Sequence, residues 1–569
     1  CNKLSFYGVF DFYLKNRVVR KSLAKFILVP YFRPMAFLRV EKKQSGTYLR
    51  IIESYKEGGK PKHRTLHSLG KVEDYPTNQL EAIAKKLLEL SGTILEDIIP
   101  ESFHEVARYN YGYGLVLKKL WAVYHIDKFI RQVNNKRRLR FDWQDAFKLM
   151  IAERLNDPCS KRQSAFTQTD YIGICDRQLP LHHLYRCLDV LAEEQELLKA
   201  HLFKVQQTLF SQELDVVFYD VTTLYFESQK EQEGSLRQKG YSKDGKAHKT
   251  QVVLGLLIDK MRNPISYQIY GGNTYEGKTL LDALETLKKQ YQIDQAVVVA
   301  DSAMIDQSNQ EFILQTPELD YIIGDRIKNL PKKIIAELLD TTKHTALDTG
   351  GQLTYTETNY KGRRIICTYS QKRANKDAFE REKLIAKAQK WVDNPSQYKQ
   401  AKTKGAAKYI IANSEDTPEI NLEKINNDAK YDGFKAIATS SNLEIAVLLE
   451  KYKDLWQVER TFRTLKSQLA IRPMFHWTNK RIEGHIAMCF VAFTFLNYLR
   501  NTVKTLSQKQ IIKALDRMQL SAIQSGDDSE EMVYMRSKIT DNQTVISKSL
   551  KVVVPKDITP QKTINQYFT

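Results

Sequence analysis

The sequence predicts a multidomain α/β protein built on a mixed sheet with flanking helices. Its 569 residues exceed one ordinary domain, and a prior of roughly 150 residues per domain suggests about three to five. Hydrophobic residues make up 42% of the chain and charged residues 27%, a balance that excludes a disordered, collagen-like or coiled-coil chain. From residue 214 onward, strand-like runs are followed by alternating helices and strands, which is typical of a mixed sheet.

The positive net charge sets the first functional expectation. The chain carries 87 Lys and Arg against 67 Asp and Glu, a formal charge of +20. A basic excess of this size favours a polyanionic partner, above all nucleic acid, over a merely soluble basic protein.

Cysteine usage and hydropathy argue against two other classes of protein. The 6 cysteines form no CxxC pair, so neither a zinc ribbon nor a disulfide framework is indicated. The longest apolar run, residues 486–499, is 14 residues long, whereas roughly 20 are needed to cross a bilayer. This run predicts a buried helix, and we expect no membrane partner.

The first part of the chain divides into three regions. Residue 1 is Cys and the first Met is Met35, and we interpret residues 1–34 as an upstream leader outside the working fold. In residues 35–100, apolar and polar residues first alternate on both sides of a Gly-Gly pair, and apolar residues then recur at helical spacing. This pattern predicts a small β-ribbon followed by a helix. Residues 101–212 are mostly helical in pattern and predict a helical DNA-binding region, although packing alone would explain them equally well.

The second part of the chain predicts an interrupted core. Residues 213–330 contain three strand-like runs and then helix, strand, helix and strand, and the unbroken apolar run AVVVAD (296–301) suits a buried central strand. Residues 331–430 interrupt this rhythm by mixing β-like pieces with a strongly charged helix. The core resumes in residues 441–500 with two helices, and residues 501–569 form a C-terminal region.

Two aspartates end or interrupt strands of this core. Asp220 lies at the end of VVFYD in the first strand, and Asp301 ends AVVVAD in the fourth. A polar residue at the end of a buried strand projects at the rim of the sheet, where sites in α/β proteins tend to lie. A turn or cap is the commoner role for any single Asp, but two in one sheet favour a site.

A third acid, Glu459, lies on a predicted amphipathic helix. Its apolar stripe runs at spacings of three and four from Leu455 to Leu469, which would lay the helix on the sheet and hold Glu459 at the margin. Three converging carboxylates repel one another unless a cation neutralises them, and Mg²⁺ prefers such oxygen ligands. An intrahelical pair of Glu459 with Arg463 is the simpler alternative, and spacing alone does not decide between them.

Several motifs resemble one family. Tyr452, Glu459 and Lys466 match the signature Tyr-x2-Arg-x3-Glu-x6-Lys, and YDVTTLYFE, GGNTYEGKTL, VVADSAMID and RPMFHWTNKRIEGHI occur in the same order. On these motifs residues 35–500 resemble the DDE transposases of the fourth insertion-sequence family and its relatives, whose catalytic core is RNase H-like. The resemblance implies that residues 331–440 are the β-rich insertion domain that interrupts this core.

The resemblance implies the chemistry and the partners. Asp220, Asp301 and Glu459 would bind two Mg²⁺ ions, for which Mn²⁺ can substitute, and would catalyse cleavage at the ends of the mobile element. The freed 3′-hydroxyl would then be joined to target DNA. The implied partners are double-stranded DNA, as terminal inverted repeats and target, and a second copy of the chain in a synaptic complex. The implied location is the bacterial-type cytoplasm, at the nucleoid.

The same resemblance assigns DNA contacts, with one departure. Tyr452 and Lys466 would contact phosphates near the transposon end, but the signature arginine falls at Leu455, in the apolar stripe. Arg463, one turn after Glu459, is expected to supply the missing charge, with Arg460 as a neighbour. Arg472 follows the helix and is expected to track the DNA backbone.

Two other functions stay open at this stage. An RNase H-like nuclease would cleave without strand transfer, although it would not need the helical residues that precede Asp220. A DNA-binding relic of a transposase would suit the missing arginine and the unusual start, whereas the presence of all three acids argues against it.

Overall fold

The structure is a computed structural model. It describes residues 35–58, 60–90, 103–210, 216–231, 234–241, 248–291, 296–301, 319–347, 351–394, 405–412, 417–525 and 532–568. The predicted leader, residues 1–34, lies outside the described residues.

The chain divides into two compact units, residues 1–103 and 104–569. In the first unit, the segments in which apolar and polar residues alternate form a three-stranded antiparallel sheet. Its middle strand pairs with both neighbours. The described elements are β1 (Met35–Lys43), β2 (Gly46–Glu57), β3 (Lys60–Lys71) and the helix α1 (Thr77–Leu90). Gly46, at φ +133°, begins β2 directly after the first turn, where an L side chain would be strained.

The second unit begins with one strand and a group of helices. Its first elements are β4 (Phe103–Asn110), α2 (Gly112–Val123), α3 (Ile126–Lys136), α4 (Trp143–Asn156), α5 (Lys161–Thr167), α6 (Leu181–Glu193) and α7 (Gln195–Phe210). These helices occupy the region for which a helical DNA-binding region is predicted, and they lie in the same compact unit as the sheet that follows.

A mixed sheet forms the centre of the second unit. Its first strands and connecting helix are β5 (Val216–Tyr225), β6 (Gln238–Lys239), β7 (Thr250–Asp259), β8 (Pro264–Gly271), α8 (Glu276–Tyr291), β9 (Ala296–Ala300) and β10 (Leu319–Asp325). β9 pairs in parallel with both β5 and β10, whereas β7 pairs antiparallel with β5. The mixed α/β architecture predicted from the order of patterns is therefore confirmed.

Residues 331–440 extend the same sheet and also carry helices. Their elements are α9 (Lys332–Leu339), β11 (Thr345–Ala346), β12 (Leu353–Tyr360), β13 (Arg363–Ser370), α10 (Gln371–Asp393), β14 (Ile410–Ala412), β15 (Pro418–Ile420), α11 (Leu422–Ala429) and β16 (Phe434–Thr439). β16 pairs antiparallel with β10 and with β13. The described sheet therefore runs β11-β12-β13-β16-β10-β9-β5-β7-β6, with β8 on β7.

The chain ends with helices and a small second sheet. The elements are α12 (Ile445–Lys453), α13 (Trp456–Ser467), α14 (Asn479–Thr502), α15 (Gln508–Asp516), β17 (Gln519–Ser525), β18 (Met532–Arg536), α16 (Asp541–Leu550), β19 (Ile558–Pro560) and α17 (Gln561–Ile564). The strands of the C-terminal region pair with β4 in the order β19-β18-β17-β4, so the two ends of this unit share one sheet.

Each face of the central sheet is covered by helices. On one face, residues of β5, β9, β10 and β16 join a large apolar cluster with α2, α4, α6, α13 and α14. We call this the α14 face. The opposite, α8 face packs with α8 and α9. Because both faces are buried, the central strands carry continuous apolar runs such as AVVVA.

Helix α14 is the centre of the large cluster. It is long and apolar enough to cross a membrane, but 89% of its most apolar 18-residue window is buried inside the protein. Trp121 and Tyr124 of the helical region place their rings 6.2 and 5.3 Å from that of Phe495, and Tyr267 of β8 lies 4.8 Å from Phe490. The buried helix predicted for residues 486–499 is confirmed, and it holds the helical region and the sheet in one core.

We predict that Gly484→Ala strongly destabilises the protein. A Cβ at Gly484 of α14 would lie 2.0 Å from the carbonyl oxygen of Leu188 on α6, and a backbone atom cannot move aside as a side chain can. We expect a loss of about 3 kcal/mol in the free energy of unfolding, at the upper end of overpacking costs, measured by urea denaturation.

Gly234→Ala is the control for this substitution. Its added Cβ meets no described atom within 4 Å, although φ is +71°, so only backbone strain of about 1 kcal/mol is expected. Equal losses for the two variants would show that α6 and α14 do not approach as closely as the structure has them.

Candidate active site

Parallel pairing of β5 with β9 brings Asp220 and Asp301 side by side. The two strands pair Val217 with Val298 and Phe218 with Val299. Continued for two more residues, this register sets Asp220 beside Asp301, on strands about 4.8 Å apart. The two acids are 81 positions apart in the sequence, so only the strand pairing makes them neighbours.

Both carboxylates project from the α14 face. Side chains alternate between the faces of a strand, and Phe218 and Val299, each two residues before one of the acids, pack in the cluster of the α14 face. Asp220 is half-buried and Asp301 exposed. One oxygen of Asp220, Oδ1, accepts a 2.7 Å hydrogen bond from the backbone N–H of Val221.

The third acid, Glu459, lies on a helix that packs on β5. Val458, Phe462 and Leu465 of α13 are buried in the same cluster as Phe218, and α13 contacts β5. Glu459 follows Val458 and is exposed, as expected for a residue at the margin of the apolar stripe. The helix therefore lies on the face from which the two aspartates project.

The chain around Glu459 forms two helices with a break between them. α12 ends at Lys453 and α13 begins at Trp456. Between them the backbone tightens, with the Leu455 N–H bonded to the carbonyl of Tyr452, three residues back. Tyr452 and Glu459 are consequently on different helices. Leu455 packs against the large cluster, as its place in the apolar stripe predicts.

The geometry is compatible with a divalent cation but does not itself form a metal centre. Among the residues that the structure describes, no three His, Cys, Asp or Glu side chains converge closely enough to hold a metal ion. Two carboxylates on adjacent strands nevertheless supply the oxygen ligands that Mg²⁺ prefers. Their mutual repulsion would be relieved by a cation between them.

The predicted DNA-contacting residues on α13 are accessible. Arg460 and Arg463 are exposed and Lys466 is half-buried. The guanidinium of Arg460 lies 5.8 Å from the ring centre of Trp456. Arg463 and Lys466 follow Glu459 by four and seven residues, so they lie on the same side of the helix as Glu459.

Arg472 lies beside the end of β5. Its guanidinium is 5.4 Å from the ring centre of Tyr225, the last residue of that strand, and the backbone N–H of Met474 bonds to the Tyr225 carbonyl at 2.9 Å. The segment that follows α13 is thereby fastened to the strand that carries Asp220.

Two basic residues near Tyr452, Lys435 and Arg373, were not predicted from the sequence. The amino group of Lys435, on β16, lies 4.4 Å from the ring centre of Tyr452. Burial, followed by the charge of Asp301, raises the pKa of Tyr452 to about 12, while Arg373 acts to lower it. The only sequence signal for Lys435 is its position just inside an apolar strand, and nothing in the sequence pairs it with Tyr452.

A buried group of cations supports the segment after α13. Arg154 of α4 donates from Nη1 to the carbonyl oxygens of Leu469 and Ala470 at 3.1 and 3.2 Å. Burial lowers the pKa of nearby Lys161 to about 8. Burial, and then the charge of Arg154, also lowers the pKa of His485 well below its usual range, so this histidine is a neutral core residue at physiological pH.

Two protein families match the chain. The family described as "Transposase DDE domain" matches residues 211–495, half of the chain, and includes all three acids. The family described as "IS1634 family transposase, N-terminal domain" matches residues 38–96. A comparison with curated proteins gives no match.

Two solved structures also show a weak likeness. One is "Mos1 transposase paired-end complex with left transposon end", with a TM-score of 0.14 and 10% identity. The other is "Crystal structure of the Mos1 mariner paired end complex with Mn", with a TM-score of 0.13 and 14% identity. Each match covers 32% of this chain and spans 59% of the solved chain. At these TM-scores the likeness supports no statement about fold or function.

We predict that Arg154→Met destabilises the fold through the segment that follows α13. Arg154 is only 5% exposed, and its loss leaves two backbone carbonyls without their donor. We expect the free energy of unfolding to fall by about 1–3 kcal/mol, measured by chemical denaturation.

Arg162→Met, which removes an exposed arginine of α5, is the matched control and should change stability by less than about 0.5 kcal/mol. If the two variants unfold alike, the hydrogen bonds from Arg154 to Leu469 and Ala470 contribute nothing measurable.

Proposed function

Because the chain belongs to the transposase DDE domain family of insertion-sequence transposases, we propose that it cleaves DNA at the ends of its own element and joins the freed 3′-hydroxyl to target DNA. Asp220, Asp301 and Glu459 are the proposed metal ligands and catalytic residues. The observation that carries this proposal is the parallel register of β5 and β9, which supports two carboxylates acting together on the face where the helix of Glu459 packs.

Two Mg²⁺ ions, or Mn²⁺ in their place, would supply the activated hydroxyl and stabilise the leaving oxygen of the cleaved phosphodiester. The chain would hold them with Asp220 and Asp301 from the strands and Glu459 from α13. Strand pairing gives the first two ligands a rigid setting, whereas Glu459 comes from a separate element.

The remaining residues would hold the DNA strand in position. Arg463 and Lys466 extend positive charge along α13 from Glu459, with Arg460 beside them, and Arg472 continues it at the end of β5. A hydroxyl with a pKa of about 12 stays protonated at neutral pH, so Tyr452 would donate a hydrogen bond to a phosphate oxygen rather than repel it. These contacts position the phosphate but do not read the sequence.

The substrate and the assembly follow from the same chemistry. A net charge of +20 suits the polyanionic terminal repeats and target DNA. A second copy of the chain, paired on the other end of the element, would form the synaptic complex. Residues 101–212 are the proposed DNA-binding region, and the position of the protein at the nucleoid would follow from its substrate.

One observation favours an alternative. Leu455 stands where the family signature has arginine, which would suit a chain that binds transposon ends but no longer cleaves them. A nuclease that cleaves without joining is the second alternative. The experiment below separates all three.

We predict that Glu459→Gln abolishes strand chemistry on the element's terminal DNA. With Mg²⁺ the parent should yield cleaved and joined products, and chelation by EDTA should stop both. The variant should lose roughly a thousandfold in rate, because several kcal/mol of transition-state stabilisation depend on the metal ligands. Glu450→Gln, an exposed acid of α12, should cleave like the parent.

Two other outcomes would each support one of the alternative functions. Cleaved products without joined ones would identify a nuclease. Binding of terminal DNA by the parent, with no products in Mg²⁺ or Mn²⁺, would identify an inactive relic.

We predict that Arg463→Ala weakens binding of terminal DNA by about tenfold, the effect of losing one charged hydrogen bond. The slope of log K against log salt should fall by about 0.9, the value for one phosphate contact. Arg517→Ala removes an exposed arginine after α15 and serves as the control. Unchanged affinity of Arg463→Ala would exclude it as the substitute for the signature arginine.

A further inference from the structure

We propose that Lys435 binds a DNA phosphate beside Tyr452 and Asp301 and so adds, together with Arg463, charge that the family signature places at Leu455. This inference rests on the proposed function, because it assigns a further DNA-positioning residue to the same site. Lys435 comes from β16, in the part of the chain that interrupts the core, so its role could not be found from the signature.

The sheet register sets Lys435 on the face of the two aspartates. β10 pairs Ile323 with Ala300 of β9 and pairs Gly324 with Ile437 of β16. Asp301, the next residue after Ala300, therefore lies in one row with Gly324 and Ile437. Lys435 precedes Ile437 by two residues and shares its face.

No side chain of β10 stands between Lys435 and Asp301 in this row, because the β10 residue there is a glycine. Gly324 is the β10 residue that lies between β16 and β9 in this row. Because β16 runs antiparallel to β10, its beginning lies at the same edge of the sheet as the end of β9, which Asp301 follows. A lysine there can extend along the α14 face toward the acids.

Tyr452 fixes where the amino group lies. Lys435 Nζ is 4.4 Å from the ring centre of Tyr452, within the distance at which a cation is attracted by the face of an aromatic ring. Lys435 as a whole is exposed, and the burial of its amino group against the Tyr452 ring is partial. Tyr452 itself is the signature residue expected to contact the transposon end, and the contact thus joins Lys435 to a predicted DNA-binding group.

Arg373, a second cation whose charge acts on Lys435, is paired with a carboxylate. It lies in the first turn of α10, where its Nε is 3.5 Å from Asp377. Partial burial, and then the charge of Arg373, lower the pKa of Lys435, while Asp301 raises it. Two cations and two carboxylates, Asp301 and Asp377, therefore share this region, and because Arg373 is already paired with Asp377, Lys435 is the cation proposed to bind the phosphate.

Leu455 cannot provide this charge. Its side chain packs with the apolar cluster, and a guanidinium there would lose its hydration without a partner. Lys435 of β16, in contrast, reaches Tyr452 without entering that cluster. The sheet can therefore supply charge beside Tyr452 in addition to that of Arg463 on α13.

The test compares Lys435→Met with Lys435→Arg in the full chain. Affinity for terminal DNA is measured in EDTA over a range of salt concentrations, which separates binding from metal chemistry. We expect Lys435→Met to lose roughly tenfold to a hundredfold in affinity, with the log–log salt slope reduced by about 0.9. Lys435→Arg should restore both, because it keeps the charge.

Lys513→Met, an exposed lysine of α15, is the charge-matched control and should bind as the parent does. Unchanged affinity and salt slope for Lys435→Met would overturn the inference. Equal losses in Lys435→Met and Lys435→Arg would also overturn it, since they would indicate a packing role.

Cleavage by the parent and by Glu459→Gln in Mg²⁺ is measured alongside. Lost cleavage in the parent would refute the proposed activity and leave the binding result for Lys435 standing. Normal cleavage by the parent with unchanged binding by Lys435→Met would refute only the assignment of Lys435.

Discussion

The parallel pairing of β5 with β9 is the constraint on which the candidate site depends. It sets Asp220 beside Asp301, although 81 positions separate them in the sequence. A shift of one residue in this register would turn one carboxylate to the α8 face. Such a shift is opposed by the apolar residues of both strands, which are buried on each face. The same burial that stabilises the sheet therefore keeps two like charges next to each other.

Helix α14 links the remaining parts of the second unit to this sheet. It contacts α4, α6, α15 and β8, so that the helices before β5 and the C-terminal elements share one apolar cluster. Its close approach to α6 at Gly484 requires the absence of a side chain. Arg154 then extends the same support to the end of α13, through the carbonyls of Leu469 and Ala470. The position of the Glu459 helix thus depends on residues far from it in the sequence.

Residues 331–440 do more than interrupt the core. Their strands β12, β13 and β16 continue the central sheet, and the beginning of β16 lies at the same edge as the two aspartates. This placement brings Lys435 to Tyr452 and Arg373 to their vicinity. A sheet edge that carries both carboxylates and cations can attract a metal ion and a phosphate to adjacent positions, which is what cleavage of a phosphodiester requires.

Local patterns in the sequence determined the mixed α/β class, the buried helix within 486–499, the apolar stripe of α13 and the two strand-borne aspartates, because each depends on spacing within a few residues. The signature around Glu459, together with the companion motifs in the same order, predicted the transposase family that the matches to residues 211–495 and 38–96 then showed. Only the tertiary structure decided which strands pair, that the helix breaks between Lys453 and Trp456, and that Lys435 lies on Tyr452. Strand order and register arise from contacts between distant segments, and no periodicity within one segment records them.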